Sequence, residues 1–415
     1  MTLKIGVIAD DFTGATDIAS FLVLNGLKTV QLCGVSEDLP APDVEAVVIS
    51  HKSRSCPAEE AIRETRASLD WLVKNGCKQI YFKYCSTFDS TSKGNIGPVT
   101  DALMERLGTG FTIFQPALPV NGRTVFKGYL FVGDVLLEES GMKNHPITPM
   151  TDSSLLRLVE MQSKGKCGLV SLEVVKKGPQ AIRDRIAELE KAGFSYAVLD
   201  ATDENDLVAQ GEALKDMPLV TGGSGLAIGL ARAVREADAD PEKAQQAGYP
   251  AGPKCAVLSG AFYKERAAAK LVDVDALLSE GTNMDTMVGE YRDFILSHQE
   301  DALAPLVYAT ANPEELARVQ EKYGVEASSR AVENFFAALA ASLAKDGTER
   351  FIVAGGETSG IVTKALGVQG FYIGPAIAPG VPWVRSINNL VSLTLKSGNF
   401  GQEDFFVRAQ ENFPV

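Results

Sequence analysis

The sequence predicts two α/β domains with largely parallel sheets. Short apolar runs alternate with segments of helical period, the pattern of strands joined by crossover helices. At 415 residues the chain exceeds one ordinary core, so two or three domains are expected. Around residues 236–253 the alternation gives way to Ala, Asp, Pro, Gln and Gly, with prolines at 241, 250 and 253. That stretch reads as a linker between an N-terminal domain, 1–235, and a C-terminal domain, 254–415. Residues 196–229 resemble the second block in style and could pack with either domain.

The first strand is expected over 3–9 and runs into Asp10-Asp11. Thr13-Gly14 then opens a segment whose apolar residues at 15, 18, 19, 22 and 23 keep helical spacing. Further strands are expected over 44–50, 79–84 and 111–116, with helices over 15–25, 58–75 and 98–107. The second block has strands near 255–259, 306–310 and 350–354, and a last element over 389–396. No heptads, low-complexity tracts or short repeats interrupt this order.

Hydrophobic residues make up 45% and charged residues 22%, the balance of a globular protein. A formal net charge of −13 argues against nucleic-acid or anionic-membrane partners. From Lys52 to Lys143 basic residues slightly outnumber acidic ones, against the trend of the chain. The six cysteines (33, 56, 77, 85, 167, 255) form no Cys-x-x-Cys pair, and there are three histidines (51, 145, 298). A disulfide framework or protein-built metal centre is therefore not expected, and reduced thiols fit a cytoplasmic protein. No signal peptide is expected, and no apolar run approaches the roughly 18 residues that span a bilayer. The oligomeric state is left open, a homo-oligomer included.

Each strand of the first block ends in a polar loop. These are Asp10-Asp11-Phe12-Thr13-Gly14, His51-Lys52-Ser53-Arg54-Ser55, Cys85-Ser86-Thr87-Phe88-Asp89-Ser90-Thr91 and Ala117-Leu118-Pro119-Val120-Asn121-Gly122-Arg123. In a parallel sheet such loops leave at one edge, so polar groups far apart in sequence converge on one crevice. Adjacent carboxylates there repel each other unless a hydroxyl, a cation or a metal takes up their charge.

Three places read as strand, small residues, helix: 219–225, 257–261 and 352–360. Glycine lets a ligand approach backbone N–H groups, and a helix start adds its positive dipole end, so each could form an anion nest. At 222–225 tight packing and phosphate binding are equally good readings. At 355–360 Glu357, Thr358 and Ser359 bring polar side chains to the turn, which favours binding. None matches G-x-x-x-x-G-K-[ST] or carries the acidic residue of a dinucleotide fingerprint.

The opening Ala-Asp-Asp-Phe-Thr-Gly-Ala-Thr-Asp, the Lys52-Ser53-Arg54-Ser55 loop and the run from Tyr81 to Thr91 resemble the four-carbon acid sugar kinases. Gly94-Asn95-Ile96-Gly97-Pro98, the run from Pro116 to Thr124 and His145-Pro146-Ile147-Thr148-Pro149-Met150 continue the resemblance. So do Gly355-Gly356-Glu357-Thr358-Ser359-Gly360, Ala378-Pro379-Gly380-Val381-Pro382 and Lys396-Ser397-Gly398-Asn399-Phe400-Gly401. The resemblance implies ATP-dependent phosphorylation of the terminal hydroxyl of a four-carbon sugar acid, with the active site in the cleft between the domains. The N-terminal domain would hold the acid and the C-terminal domain the nucleotide. The wording of the N-terminal half points to 3-oxo-tetronate, with D-threonate, L-threonate and D-erythronate as alternatives. ATP contacts would map to Ser259, to Gly355, Gly356, Glu357, Thr358 and Ser359, and to Gly398 and Gly401. One departure stands out: Ser259-Gly260 continues as Ala261-Phe262-Tyr263-Lys264, where hydroxyl residues are common in the family. A non-catalytic acid-sugar sensor is the alternative this departure suggests.

Phosphoryl transfer needs an aligned hydroxyl, a metal bridging the phosphates and donors near the equatorial oxygens. Asp10 and Asp11 are expected to receive sugar hydroxyls, one of them as base, and sequence leaves open which. Arg54 is the candidate partner of the substrate carboxylate, with Lys83 as a second cation and Thr87 and Ser90 for hydroxyls. Asp17 is expected to favour the helix dipole in the first turn. His145 could meet a phosphate or serve structure. Mg²⁺ is expected to accompany ATP, held mostly by phosphates and water, with no metal ligands assigned.

Overall fold

The computed structural model describes residues 2–35, 39–145, 148–260, 268–279, 281, 283–309, 313–378, 380–396 and 404–413. The chain forms two compact units, Met1–Ala244 and Gln245–Val415. The division falls in a short helix, Pro241–Gln246, inside the stretch that reads as a plain connection. Proline starts this helix because its fixed φ suits the first helical position.

The first unit carries strands β1 (Ile5–Ala9), β2 (Thr29–Leu32), β3 (Ala46–Ser50), β4 (Gln79–Lys83), β5 (Thr112–Gln115), β6 (Arg123–Phe126), β7 (Tyr129–Val132), β8 (Val135–Leu136), β9 (Cys167–Val170), β10 (Tyr196–Leu199) and β11 (Leu219–Gly222). Eight of them make a parallel sheet in the order β2-β3-β1-β4-β11-β5-β10-β9. Every residue of β1, β3 and β4 is buried: β1 is apolar throughout, β3 is apolar up to Ser50, and in β4 the apolar Ile80, Tyr81 and Phe82 lie between Gln79 and Lys83. β10 and β11 lie in this sheet, so residues 196–222 belong to the first unit. The remaining three strands form a separate antiparallel sheet, β6-β7-β8.

The helices start and stop at nameable signals. α1 (Phe12–Leu24) begins three residues earlier than periodicity alone places it, because Asp11 caps it and accepts the Gly14 N–H at 3.1 Å. Its apolar stripe, Ala15, Ile18, Ala19, Leu22 and Val23, is fully buried. α2 (Ala58–Lys74) carries Glu59 and Glu60 in its first turn and Lys74 in its last, matching the dipole. α3 (Ile96–Leu107) ends at Gly108 with φ 67°.

The chain leaves β1 towards β2 and β3 on one side, then crosses to β4 on the other. The carboxyl end of β1 is therefore a topological switch point, where open α/β sheets bind ligands. Ala9 is level with Ser50 and Lys83, and Lys83 is level with Gly222. Asp10, the 51–55 loop, Lys83 and the 222–225 turn therefore meet at one edge.

The second unit carries β12 (Cys255–Ser259), β13 (Ala269–Leu271), β14 (Leu306–Tyr308), β15 (Arg350–Ala354), β16 (Gly370–Ala378), β17 (Val381–Ser386) and β18 (Ser392–Lys396). Their order is β13-β14-β12-β15-β18-β17-β16. The first five are parallel, whereas β17 pairs antiparallel with both β18 and β16. Trp383 anchors this half, fully buried, with its indole N–H donating to the Ala409 carbonyl at 2.9 Å. Ser259, Ala354 and Lys396 are level, so the turns after β12 and β15 share an edge.

Candidate active site

At the switch point of the first unit Arg54 ties the two aspartates together. Its Nε and Nη2 donate to the two Asp10 carboxylate oxygens at 2.9 and 2.8 Å, a bidentate fork, and Nη2 also reaches Asp11 Oδ1 at 2.6 Å. The backbone supports this placement: Asp10 N–H donates to the Lys83 carbonyl, and the Asp10 carbonyl accepts from the N–H groups of Ser53 and Arg54. Among the described residues Arg54 Nη1 makes no hydrogen bond, so one face of the guanidinium stays available.

The two carboxyls are not equivalent. Both Asp10 oxygens are engaged by Arg54, and its side chain is 7% exposed. Asp11 uses Oδ1 for the Gly14 N–H and Arg54, leaves Oδ2 without a hydrogen bond among the described residues, and is 28% exposed. Burial pushes the Asp10 carboxyl above its ordinary range, with Arg54 pulling against it and Asp11 adding to it. For Asp11 burial acts in the same direction, but Arg54, Lys83 and the Gly14 N–H outweigh it and hold the carboxyl below the usual range. Environments that push a pair apart in this way separate an ionised acceptor from an anchoring partner.

Lys83 is 3% exposed and donates to the Tyr84 carbonyl at 2.8 Å. Its ammonium lies over Gly14: a Cβ there would stand 2.8 Å from Nζ and 2.3 Å from Asp11 Oδ1. Asp17, expected in the first turn of α1, lies in the second and is buried. Its Oδ2 accepts the Ser224 hydroxyl, and its Oδ1 has no hydrogen-bond partner among the described residues.

Two of the expected hydroxyl ligands are engaged inside the fold. Thr87 donates to Asp89 Oδ1 at 2.6 Å, closing its own loop. Ser90, 1% exposed, donates to Gln162 Oε1, which also accepts the Gly97 N–H and so ties this loop to α3. His145 Nδ1 accepts the Thr148 N–H at 3.0 Å, a local turn contact. The 222–225 turn is a packing device. A Cβ on Gly222, Gly223 or Gly225 would meet the carbonyl oxygens of Gln115, Pro116 or Ala117 at 2.4, 2.7 and 2.2 Å.

The turn after β15 is built differently. Gly355 adopts φ 123°, open to glycine alone, and starts the helix Gly356–Ala365. Among the described residues nothing lies within 4 Å of where a Cβ would be on Gly356 or Gly360. Thr358 and Ser359 are buried in the first turn, Ser359 donating to the Gly355 carbonyl at 2.7 Å, and Glu357 is exposed. Ser259 is fully buried at the end of β12, and Gly260 donates to the Ala354 carbonyl at 3.0 Å. A cavity of about 360 Å³ opens beside Gly260 and Thr358, lined by the apolar Leu271, Val272, Val274, Val319 and Val332 and by the carboxylates Asp273, Asp275 and Glu333. It joins a chamber of mixed apolar and acidic lining to a helix N-terminus, the end that favours anionic groups. Gly398, Gly401 and residues 261–264 lie outside the described residues.

Sequence reasoning missed the unpartnered Asp17 carboxyl and the cavity. The three-residue spacing of Asp11, Gly14 and Asp17 was a usable signal for the first. The second had none, because its walls come from separate helices and strands.

Comparison with known proteins finds a family model for each half of the chain. A family model described as a sugar-binding N-terminal domain matches residues 5–230, and one described as a nucleotide-binding C-terminal domain matches 260–406. A 3-oxo-tetronate kinase of Pectobacterium atrosepticum is 56% identical over 99% of both chains. One of Escherichia coli K12 is 57% identical, over 91% of this chain and 99% of its own. A crystal structure of a Salmonella typhimurium LT2 protein, 54% identical, aligns over 100% of both chains with a TM-score of 0.93. That of Haemophilus influenzae protein HI1011, 50% identical, covers 99% of this chain and 100% of its own with a TM-score of 0.86. The chain belongs to the four-carbon acid sugar kinase family.

Proposed function

We propose that the protein transfers the γ-phosphate of ATP to the 4-hydroxyl of 3-oxo-tetronate. Relatives of that name, 50–57% identical along nearly the whole chain, support the substrate. The observation that carries the chemistry is Asp11, a carboxylate kept ionised by Arg54 and Lys83 with one oxygen left open. That oxygen accepts the proton of the substrate hydroxyl and aligns it. The hydroxyl oxygen then forms its bond to the γ-phosphorus as the bond to the ADP oxygen breaks, and the proton leaves through Asp11. Asp10, buried and doubly bonded, serves to hold Arg54. The free Arg54 Nη1 and the Lys83 ammonium take the substrate carboxylate.

In the second unit the N-terminus of helix Gly356–Ala365 receives the phosphates, and the cavity beside it, with both apolar and acidic lining, receives the nucleoside. The turn suits a magnesium ion bound chiefly by phosphate and water, since Glu357 is an exposed carboxylate in its first helical residues. Such an ion supplies neutralisation of the phosphate charge. On this reading the enzyme works in the cytoplasm, where ATP is available; no helix among the described residues is long and apolar enough to cross a membrane.

The test is ADP release with 3-oxo-tetronate, D-threonate, L-threonate and D-erythronate, paired with calorimetric binding of each. Turnover of 3-oxo-tetronate above the others is expected. Turnover of another acid in its place moves the substrate assignment. Binding without ADP release from any of the four means a sensor rather than a kinase.

A further inference from the structure

Asp11 caps α1 by accepting the Gly14 N–H, and Asp17 follows Gly14 at a spacing of three, so the glycine neighbours both carboxyls. The Lys83 ammonium lies over that glycine and is drawn electrostatically by the carboxyl on either side. Its one hydrogen bond among the described residues is to the Tyr84 carbonyl. Asp17 is the less accessible of the two carboxyls: it is 8% exposed, whereas Asp11 faces the opening. Ser224, brought in by β11, fixes one Asp17 oxygen, and the other has no hydrogen-bond partner among the described residues. Burial pushes the Asp17 carboxyl above its ordinary value, while the Lys83 ammonium and the Ser224 hydroxyl pull it back towards the charged form.

We propose that Asp17 is a positioning residue that holds the Lys83 ammonium over Gly14, away from the open oxygen of Asp11. Without it the ammonium is left with Asp10 and Asp11; both Asp10 oxygens are already held by Arg54, so it closes onto Asp11. Asp11 then loses the oxygen that receives the substrate hydroxyl, and the substrate carboxylate loses its second cation. Ser224 sets the rotamer of Asp17 and does not touch substrate. The kinetic part of this inference rests on the proposed kinase reaction; the placement of the ammonium does not.

Asp17→Asn tests it, because asparagine keeps the shape and an oxygen for Ser224 while removing the charge. A crystal structure of the variant is expected to show the Lys83 nitrogen displaced from Gly14 towards Asp11; an unmoved nitrogen overturns the proposal. In steady-state kinetics kcat/KM for the sugar acid should fall on the order of 10²-fold while KM for ATP changes less than about twofold. Wild-type kinetics in Asp17→Asn overturn it. So does Ser224→Ala if it loses as much as Asp17→Asn, which would make the contact merely structural. Should the wild type phosphorylate none of the four acids, the kinase reading has failed, and the crystal structure still decides the placement of Lys83.

Discussion

Two glycine-rich turns that look alike in sequence, 222–225 and 355–360, are opposite in structure. Each follows a buried parallel strand and precedes a helix. In the first, glycine is required because neighbouring carbonyls occupy the space of any side chain, and a Cβ on Gly225 would come within 2.2 Å of the Ala117 oxygen. In the second, Gly356 and Gly360 have no described atom within 4 Å of where a Cβ would be. Glycine thus serves packing at one edge and leaves open space among the described residues at the other. The number of glycines cannot tell the two cases apart; the neighbours across the sheet can.

The contrast predicts opposite phenotypes for the same change. Gly225→Ala has the largest expected effect, because backbone rather than a movable side chain must give way; a loss of about 3 kcal/mol in urea unfolding is expected. Gly14→Ala is the intermediate case, since its neighbours are the ends of Lys83 and Asp11. Alanine favours a helix by about 1 kcal/mol over glycine, so stability should hold or rise. Turnover should nevertheless fall on the order of 10²-fold, because the displaced groups belong to the site.

Crowding at the first edge also has an electrostatic form. His51 follows β3, shares its ring Nε2 with Ser68 Oγ at 2.8 Å, and is pushed down to about 4 by burial. The unfolded chain therefore binds a proton near pH 6.5 that the folded chain refuses until about pH 4. Stability from this group is full above pH 6.5 and is lost as pH falls towards 4, on the order of 3 kcal/mol. His51→Gln should flatten that part of the pH–stability curve; an unchanged slope would remove His51 as its cause. Gly356→Ala has the smallest effect, with unfolding unchanged and ATP affinity in calorimetry lowered about tenfold as a methyl enters the phosphate nest. If Gly356→Ala instead unfolded the protein and Gly225→Ala did not, the contrast between the turns would be reversed.

Much of the fold was legible because burial on both faces leaves its mark on local sequence. β1 is a continuous apolar run, β3 and β4 have apolar centres, and the stripe of α1 keeps its period. The start of α1 was less legible, since its cap is a carboxylate that also pairs with Arg54. The antiparallel pairing of β16, β17 and β18 was illegible, because strand direction depends on partners rather than composition. At the site, sequence brought the right loops to one edge but could not assign partners. Arg54 reads as a ligand for a substrate carboxylate, yet its fork is occupied by Asp10, a pairing set by the register of β1 against β3. Thr87 and Ser90 read as hydroxyl ligands, whereas Asp89 and Gln162 take their hydrogen bonds. Residue type gives chemical capacity, and the fold decides where that capacity is used.

The central claim is that Asp11, not Asp10, receives the sugar hydroxyl, and Asp11→Asn tests it most directly. The account predicts a loss of turnover on the order of 10³-fold, within the range for removing a general base, with ATP affinity and unfolding midpoint unchanged. Turnover at the wild-type rate in Asp11→Asn would contradict it.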